Sequence, residues 1–182
     1  MASTKIRLMH RILLIGNPGS GKSTLARKLG ERLGLEVIHL DQHFWTPGWV
    51  HVPFSRWIEM VEELVQGESW IVDGNYARTL DIRLERADGV IWLDFPTPIC
   101  LFRCVLRALR GFGRERPNMP QGCRENLRWE FLQYVYTFRK RERPIVEAIL
   151  QADERRTPLL HLKHPREVKI EKILEFVDEK KA

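Results

Sequence analysis

Residues 11–23, Arg11-Ile-Leu-Leu-Ile-Gly-Asn-Pro-Gly-Ser-Gly-Lys-Ser23, decide the fold. Ile12 to Ile15 is a short unbroken apolar run, the composition of a strand buried on both faces of a parallel sheet. It leads directly into Gly16 to Ser23, which fits G-x-x-x-x-G-K-[ST]. Leu25, Leu29 and Leu33 then recur at helical spacing, and Gly34 is placed as a C-terminal cap. Strand, loop and helix in that order are the context the motif requires. Gly19 and Gly21 let the backbone turn its NH groups inward, and the helix N-terminus adds partial positive charge at the same place. Gly16, Asn17, Pro18, Gly19, Ser20, Gly21, Lys22, Ser23 and Thr24 are therefore the expected cradle for the phosphates of ATP. Lys22 reaches the β and γ phosphates, and the Ser23 hydroxyl serves Mg²⁺.

Working outward, residues 36–40, 70–72, 89–93 and 159–162 read as further strands. A helix starting at Ser55 carries Trp57, Val61, Leu64 and Val65 on one face and ends near Gly67. Such alternation predicts an α/β fold: a three-layer α/β/α domain with a five-stranded parallel sheet, right-handed crossovers and functional loops at the carboxyl ends of the strands. Asp41, Asp73 and Asp94 each fall at such an end. Asp73 follows an apolar run beside the phosphate-loop strand and is the expected partner of Ser23 in holding Mg²⁺; a helix N-cap is its alternative role. The length of 182 residues suits one domain over 1–182.

Composition excludes several classes. The hydrophobic share of 43% beside 30% charged residues fits a globular chain, and no apolar stretch is long enough to span a bilayer. The first ten residues have no apolar signal-peptide core, so the expected location is the cytoplasm. Cys100, Cys104 and Cys123 form no C-x-x-C pair and read as free thiols, against both a disulfide framework and zinc. The net charge of +6 is concentrated: residues 103–143 hold ten Arg and one Lys against four acids. That segment wants phosphates, of nucleic acid or of a small nucleotide, or else is a solvated helix surface. Arg103, Arg107 and Arg110 form a narrow helical stripe beside Phe102, Val105, Leu106 and Leu109. Residues 111–122 (GFGRERPNMPQG) interrupt the helices with three Gly and two Pro, so a lid is expected at about 108–125. Arg114 and Arg116 either bring charge with it or are plain surface residues. No helix-turn-helix, zinc finger or basic arm is present.

Through GNPGSGKSTLARKLG, HLDQHFWTPGW, WIVDGNY, RLERAD and LDFP the chain resembles the nucleoside monophosphate kinase group of P-loop proteins. Within that group it is most similar to the small bacterial "DNA topology modulation" proteins, over most of residues 11–145. The resemblance implies a small helical lid and ATP-dependent phosphoryl transfer. Adenylate kinases carry D-G-F-P-R after strand three; Asp73-Gly74 match, Asn75-Tyr76-Ala77 do not, and Arg78 comes one residue late. Pro96, Arg103 and Arg107 reproduce the family's spacing of a proline and two arginines, the first of which covers adenine. Arg128 and Arg139, eleven residues apart, are similar to the pair that grips the transferring phosphates.

The acceptor stays open between two chemistries. A hydroxyl wants a carboxylate to orient it, whereas a phosphate wants arginines. Asp41 lies nineteen residues after Lys22, where shikimate-kinase-like enzymes carry a substrate-binding aspartate; His39 stands where those enzymes usually have a second acid. Gly74 belongs to the turn after strand three, and Arg78 and Arg83 follow it, placed to clamp an acceptor phosphate or carboxylate; Arg83 and Arg86 also read as ordinary surface arginines on a short helix. Phe44, Trp45, Trp49 and Trp57 offer flat apolar faces to a ring, or cover the core. The expectation is a kinase moving the γ-phosphate of Mg-ATP to a nucleotide, nucleoside or similar metabolite. The alternative is an ATP-binding regulatory protein acting on DNA.

Overall fold

In the computed structural model, which describes residues 8–115, 118–125 and 127–178, Ile12 to Ile15 have no exposed surface. They lie in β1 (Arg11–Gly16), followed by α1 (Lys22–Leu33), β2 (Val37–His39), α2 (Leu40–Phe44), β3 (Trp45–Thr46) and β4 (Val50–His51). Next come α3 (Phe54–Leu64), β5 (Trp70–Asp73), α4 (Leu80–Arg86), β6 (Gly89–Leu93), α5 (Thr97–Gly111), α6 (Trp129–Arg141), α7 (Arg143–Ala152), β7 (Leu159–Leu162) and α8 (Ile170–Val177).

The main sheet has the order β2-β5-β1-β6-β7 and every pairing in it is parallel. Leu14 stands opposite Asp73 on one side and Ile91 on the other, so β1 is bonded along both edges. Its side chains alternate between two cores. Ile12 and Leu14 join Leu25 and Leu29 of α1, Cys100 and Cys104 of α5, and Ile173 of α8. Leu13 and Ile15 join Trp57 and Val61 of α3, Leu80 of α4, and Val146 of α7. Two apolar faces covered by two sets of helices make the three-layer α/β/α fold expected from the strand–helix alternation. No helix among the described residues is long and apolar enough to cross a membrane, and Cys100, Cys104 and Cys123 are buried.

Three details depart from the sequence reading. The second strand stops at His39, and Leu40, fully buried, turns the chain into α2 with Asp41 in its first turn. The aromatic loop is a hairpin: Trp45 pairs with His51 and Thr46 with Val50, across a turn with Gly48 and Trp49 both at positive φ. Such short strands leave no periodic trace in sequence. Lastly, the lid is helical only at its walls, the end of α5 and the start of α6; among the described residues between them there is no helix, and a single bridge joins Glu115 to Arg124. Arg116 lies outside the described residues.

The start of β1 is fastened to β6 by Asp88, which accepts bonds from the backbone NH groups of His10 (3.1 Å) and Arg11 (2.9 Å) and from the Arg11 guanidinium (3.0 Å). Burial acts to raise the Asp88 carboxyl, but these donors, led by the Arg11 side chain, outweigh it and hold it below the ordinary carboxylate value. A depressed folded value stabilises the fold above the unfolded value of about 4 and stops doing so as pH falls through the folded one. Asp88→Asn is therefore expected to cost about 1–2 kcal/mol in urea unfolding at pH 7. The difference from the parent chain should shrink on going to pH 3.

Candidate active site

The carboxyl ends of β1, β2 and β5 open into a cleft of 1340 Å³ lined by the phosphate loop, the aromatic hairpin, the turn after β5 and the lid walls. Gly19 has φ 82°, and a Cβ there would stand 2.4 Å from the Cys100 carbonyl oxygen, so this position admits only glycine where the loop meets α5. Asn17 is tied to α6 by a bond from Nδ2 to the Val135 carbonyl (3.2 Å), and Lys22 Nζ reaches back to the Asn17 carbonyl (3.2 Å). Gly16, Pro18, Gly19, Ser20, Gly21, Lys22, Ser23 and Thr24 all line the cleft.

Buried polar atoms without a hydrogen-bond partner gather here: Asn17 Oδ1, Ser20 Oγ, Asp73 Oδ1 and both amide atoms of Asn75. Such atoms are costly to bury unless something else satisfies them. Asp73 is 5% exposed; its other oxygen takes the His39 Nδ1 bond at 2.8 Å across the register pairing the two residues on β2 and β5. The donor set of a serine hydroxyl, a carboxylate oxygen and a neighbouring lysine fits Mg²⁺ with phosphates, held by Ser23 and Asp73 beside Lys22.

Of the stripe on α5, Arg103 and Arg107 face the cleft. Arg103 donates to the Ser20 carbonyl (3.1 Å) and lies over the Phe95 ring. Arg107 lies over Phe131, with Nε 3.1 Å from Glu125 Oε2 of the lid, an ion pair not aligned as a hydrogen bond. Arg110 and Arg114 point to solvent. Arg128 and Arg139 are not brought together. Arg128 is the residue before α6 and lines the cleft; Arg139, in the last turn of α6, lies 3.8 Å from buried Asp94 and is not among the cleft-lining residues. Eleven residues return to the same helical face but travel about 16 Å along the axis, which is why spacing alone misled.

Arg83 is also not where it was expected. It is fully buried, and its guanidinium donates to four backbone carbonyls, those of Thr79 (3.1 Å), Gly74 (3.0 Å), Asn75 (2.7 Å) and Tyr76 (2.9 Å). Burial pushes its pKa down to about 9, so it remains charged at neutral pH. It cannot clamp a ligand; it braces the turn that carries Gly74 and presents Tyr76, itself at φ 33°. Tyr76 Oη in turn donates to Asp41 Oδ1 at 2.6 Å.

Asp41, Phe44, Trp45, Trp49 and Arg78 line the cleft together with Tyr76. Phe44 meets Trp45 and Trp57 edge-on and Tyr76 at a tilt, at centroid separations of 5.1, 5.1 and 4.8 Å. Trp57 is buried and covers the core, as one reading of the aromatics had it, while Phe44, Trp45 and Trp49 keep partly open faces. The hairpin meets the lid tip: Trp49 Nε1 donates to the Arg124 carbonyl (3.1 Å) and Cys123 Sγ to the Thr46 carbonyl (3.4 Å). Tyr134 and Glu142, which no motif marked, also face the cleft, as do Pro165, Val168 and Ile170 after β7. Since β7 and β2 are opposite edges of the sheet, these apolar residues sit on the far side of the phosphate loop from Asp41.

A glycine-rich loop between a central strand and its helix, an Asp on the adjoining strand and arginines on a lid helix define a P-loop protein of kinase-like fold. The chain belongs to the AAA domain family, whose model matches residues 12–156. It is 30% identical over 111 residues, 53% of its own length and 68% of the other, to a shikimate kinase of Persephonella marina. Its fold matches a shikimate kinase from Acinetobacter baumannii crystallised with shikimate, with a TM-score of 0.55 and 22% identity over 81% of this chain and 84% of that one. A gluconokinase from Sinorhizobium meliloti matches with a TM-score of 0.55 and 18% identity over 94% and 93% of the two chains.

The bracing role of Arg83 has a measurable consequence. Arg83→Met takes a donor from four carbonyls, of which that of Tyr76 keeps its bonds from the Thr79 NH and hydroxyl, and is expected to lower stability by about 2–4 kcal/mol in denaturant unfolding. Arg83→Lys should recover only part of this, because an ammonium lacks the planar fork that spans four acceptors.

Proposed function

We propose that the protein is an ATP-dependent small-molecule kinase that phosphorylates a hydroxyl group. The observation that carries this reading is Asp41, a carboxylate facing the same cleft as Lys22, at the carboxyl end of the strand next to β5, and fixed in direction by Tyr76. Asp41 is placed to orient an acceptor hydroxyl and take its proton as the oxygen attacks the γ-phosphorus and the bond to the β-phosphate oxygen breaks, releasing ADP. Lys22, Arg107 and Arg128 supply positive charge to the phosphoryl group in transfer, and the lid excludes water. Arg103, packed on the phosphate loop, covers the nucleotide. Mg²⁺ held by Ser23 and Asp73 would neutralise charge on the β and γ phosphates. Similarity to a shikimate kinase supports the hydroxyl reading, since that enzyme's name states shikimate, an alcohol, as what it phosphorylates.

A phosphate acceptor, as in a nucleoside monophosphate kinase, finds less support: of Arg78 and Arg83 only Arg78 faces the cleft. The DNA-regulatory alternative rested on the basic segment, and Arg103 and Arg107 are turned into the cleft instead of forming an outward face.

Asp41→Asn should lower kcat by about 10²–10⁴-fold while ATP binding changes little, measured by ADP release and by nucleotide titration. An unchanged kcat with the acceptor that gives highest turnover would overturn the hydroxyl assignment.

A further inference from the structure

The two carboxylate oxygens of Asp73 are differently placed. Oδ1 is buried without a hydrogen-bond partner, whereas Oδ2 meets His39 Nδ1 at 2.8 Å. An ionised carboxylate only accepts, so it is Nδ1 that carries the proton and donates it. The side chains of His39 and Asp73 are 11% and 5% exposed, and both residues line the cleft.

The backbone holds this pair from two sides. His39 is the last residue of β2 and stands opposite Asp73, the last residue of β5, in parallel register. One position further on, Leu40 is fully buried and packs so closely on Gly74 that a Cβ there would stand 2.8 Å from the Leu40 Cβ. Sheet pairing before the pair and close packing after it therefore fix the distance between the two side chains. His39 also precedes α2, where a polar side chain often caps the helix. It makes no such bond, and its ring is turned to Asp73 instead.

We propose that His39 is a positioning residue for the metal: by holding Oδ2 it fixes the Asp73 carboxylate and leaves Oδ1 for Mg²⁺ beside Ser23. This rests on the assignment of Mg²⁺ to Ser23 and Asp73 above and deepens it. The last torsion of an aspartate is broad, so an unheld carboxylate must be ordered when the ion binds, at a cost in affinity. A donor already seated on Oδ2 removes that cost beforehand. His39 thus acts through Asp73 and need not touch the ion or either substrate.

The test reads metal binding separately from turnover. Mn²⁺, followed by electron paramagnetic resonance, is titrated into the full chain with a non-hydrolysable ATP analogue, and binding of the analogue alone is measured in EDTA. His39→Leu should weaken Mn²⁺ binding by about 10–100-fold while analogue binding in EDTA changes little. His39→Asn should recover most of the loss, because its amide nitrogen can donate from the place of the ring Nδ1. His39→Gln, whose amide nitrogen reaches to the place of Nε2, should not. Full Mn²⁺ affinity in His39→Leu, with affinity lost in Asp73→Ala, would overturn this inference alone. Equal affinity in the Asn and Gln variants would overturn it even where the leucine variant fails to fold. Unchanged Mn²⁺ binding in Asp73→Ala would remove the metal assignment and this inference together.

Discussion

The two-sided hydrogen bonding of β1 is the constraint from which the site follows. A strand paired along both edges and buried on both faces has nowhere to put its last residue except at an open end of the sheet. The chain leaves β1 for β2, returns to β5 beside β1, and only then crosses to β6 and β7. At that change of direction the neighbouring connections depart to opposite sides, and the crevice between them is filled by the loop from Gly16 to Gly21. Asp73 and His39 reach the same crevice because parallel register carries them there from β5 and β2.

Much of this was legible because it is local. A four-residue apolar run, a glycine pattern and three leucines at helical spacing each specify their element with little help from distant residues, and those elements are where they were expected. What was not legible depends on depth and on distant partners. Arg83 reads like its surface neighbour Arg86, and nothing nearby says that its guanidinium turns inward to four carbonyls. The helical face of Arg139 was right; its distance along the axis, and the pull of Asp94, were not visible. Tyr76 and Asp41 are 35 positions apart and meet only because β5 lies beside β2. Pro165, Val168 and Ile170 follow the last strand without any motif.

Positive charge is gathered around the phosphate loop: the N-terminus of α1, Lys22 and Arg103, with Arg107 one turn further along α5. Charge of one sign beside inward-turned backbone NH groups favours an anion there.

The contact between the hairpin and residues 123–124 joins two distant parts of the chain. Trp49 gives its indole NH to the Arg124 carbonyl, and Thr46 takes the Cys123 thiol, so the segment between α5 and α6 is held to the aromatic hairpin at two points. A hydrogen bond contributes about 1 kcal/mol net, which changes the fraction of time such a contact stands open by roughly fivefold. Any parting of these two segments must therefore break both bonds.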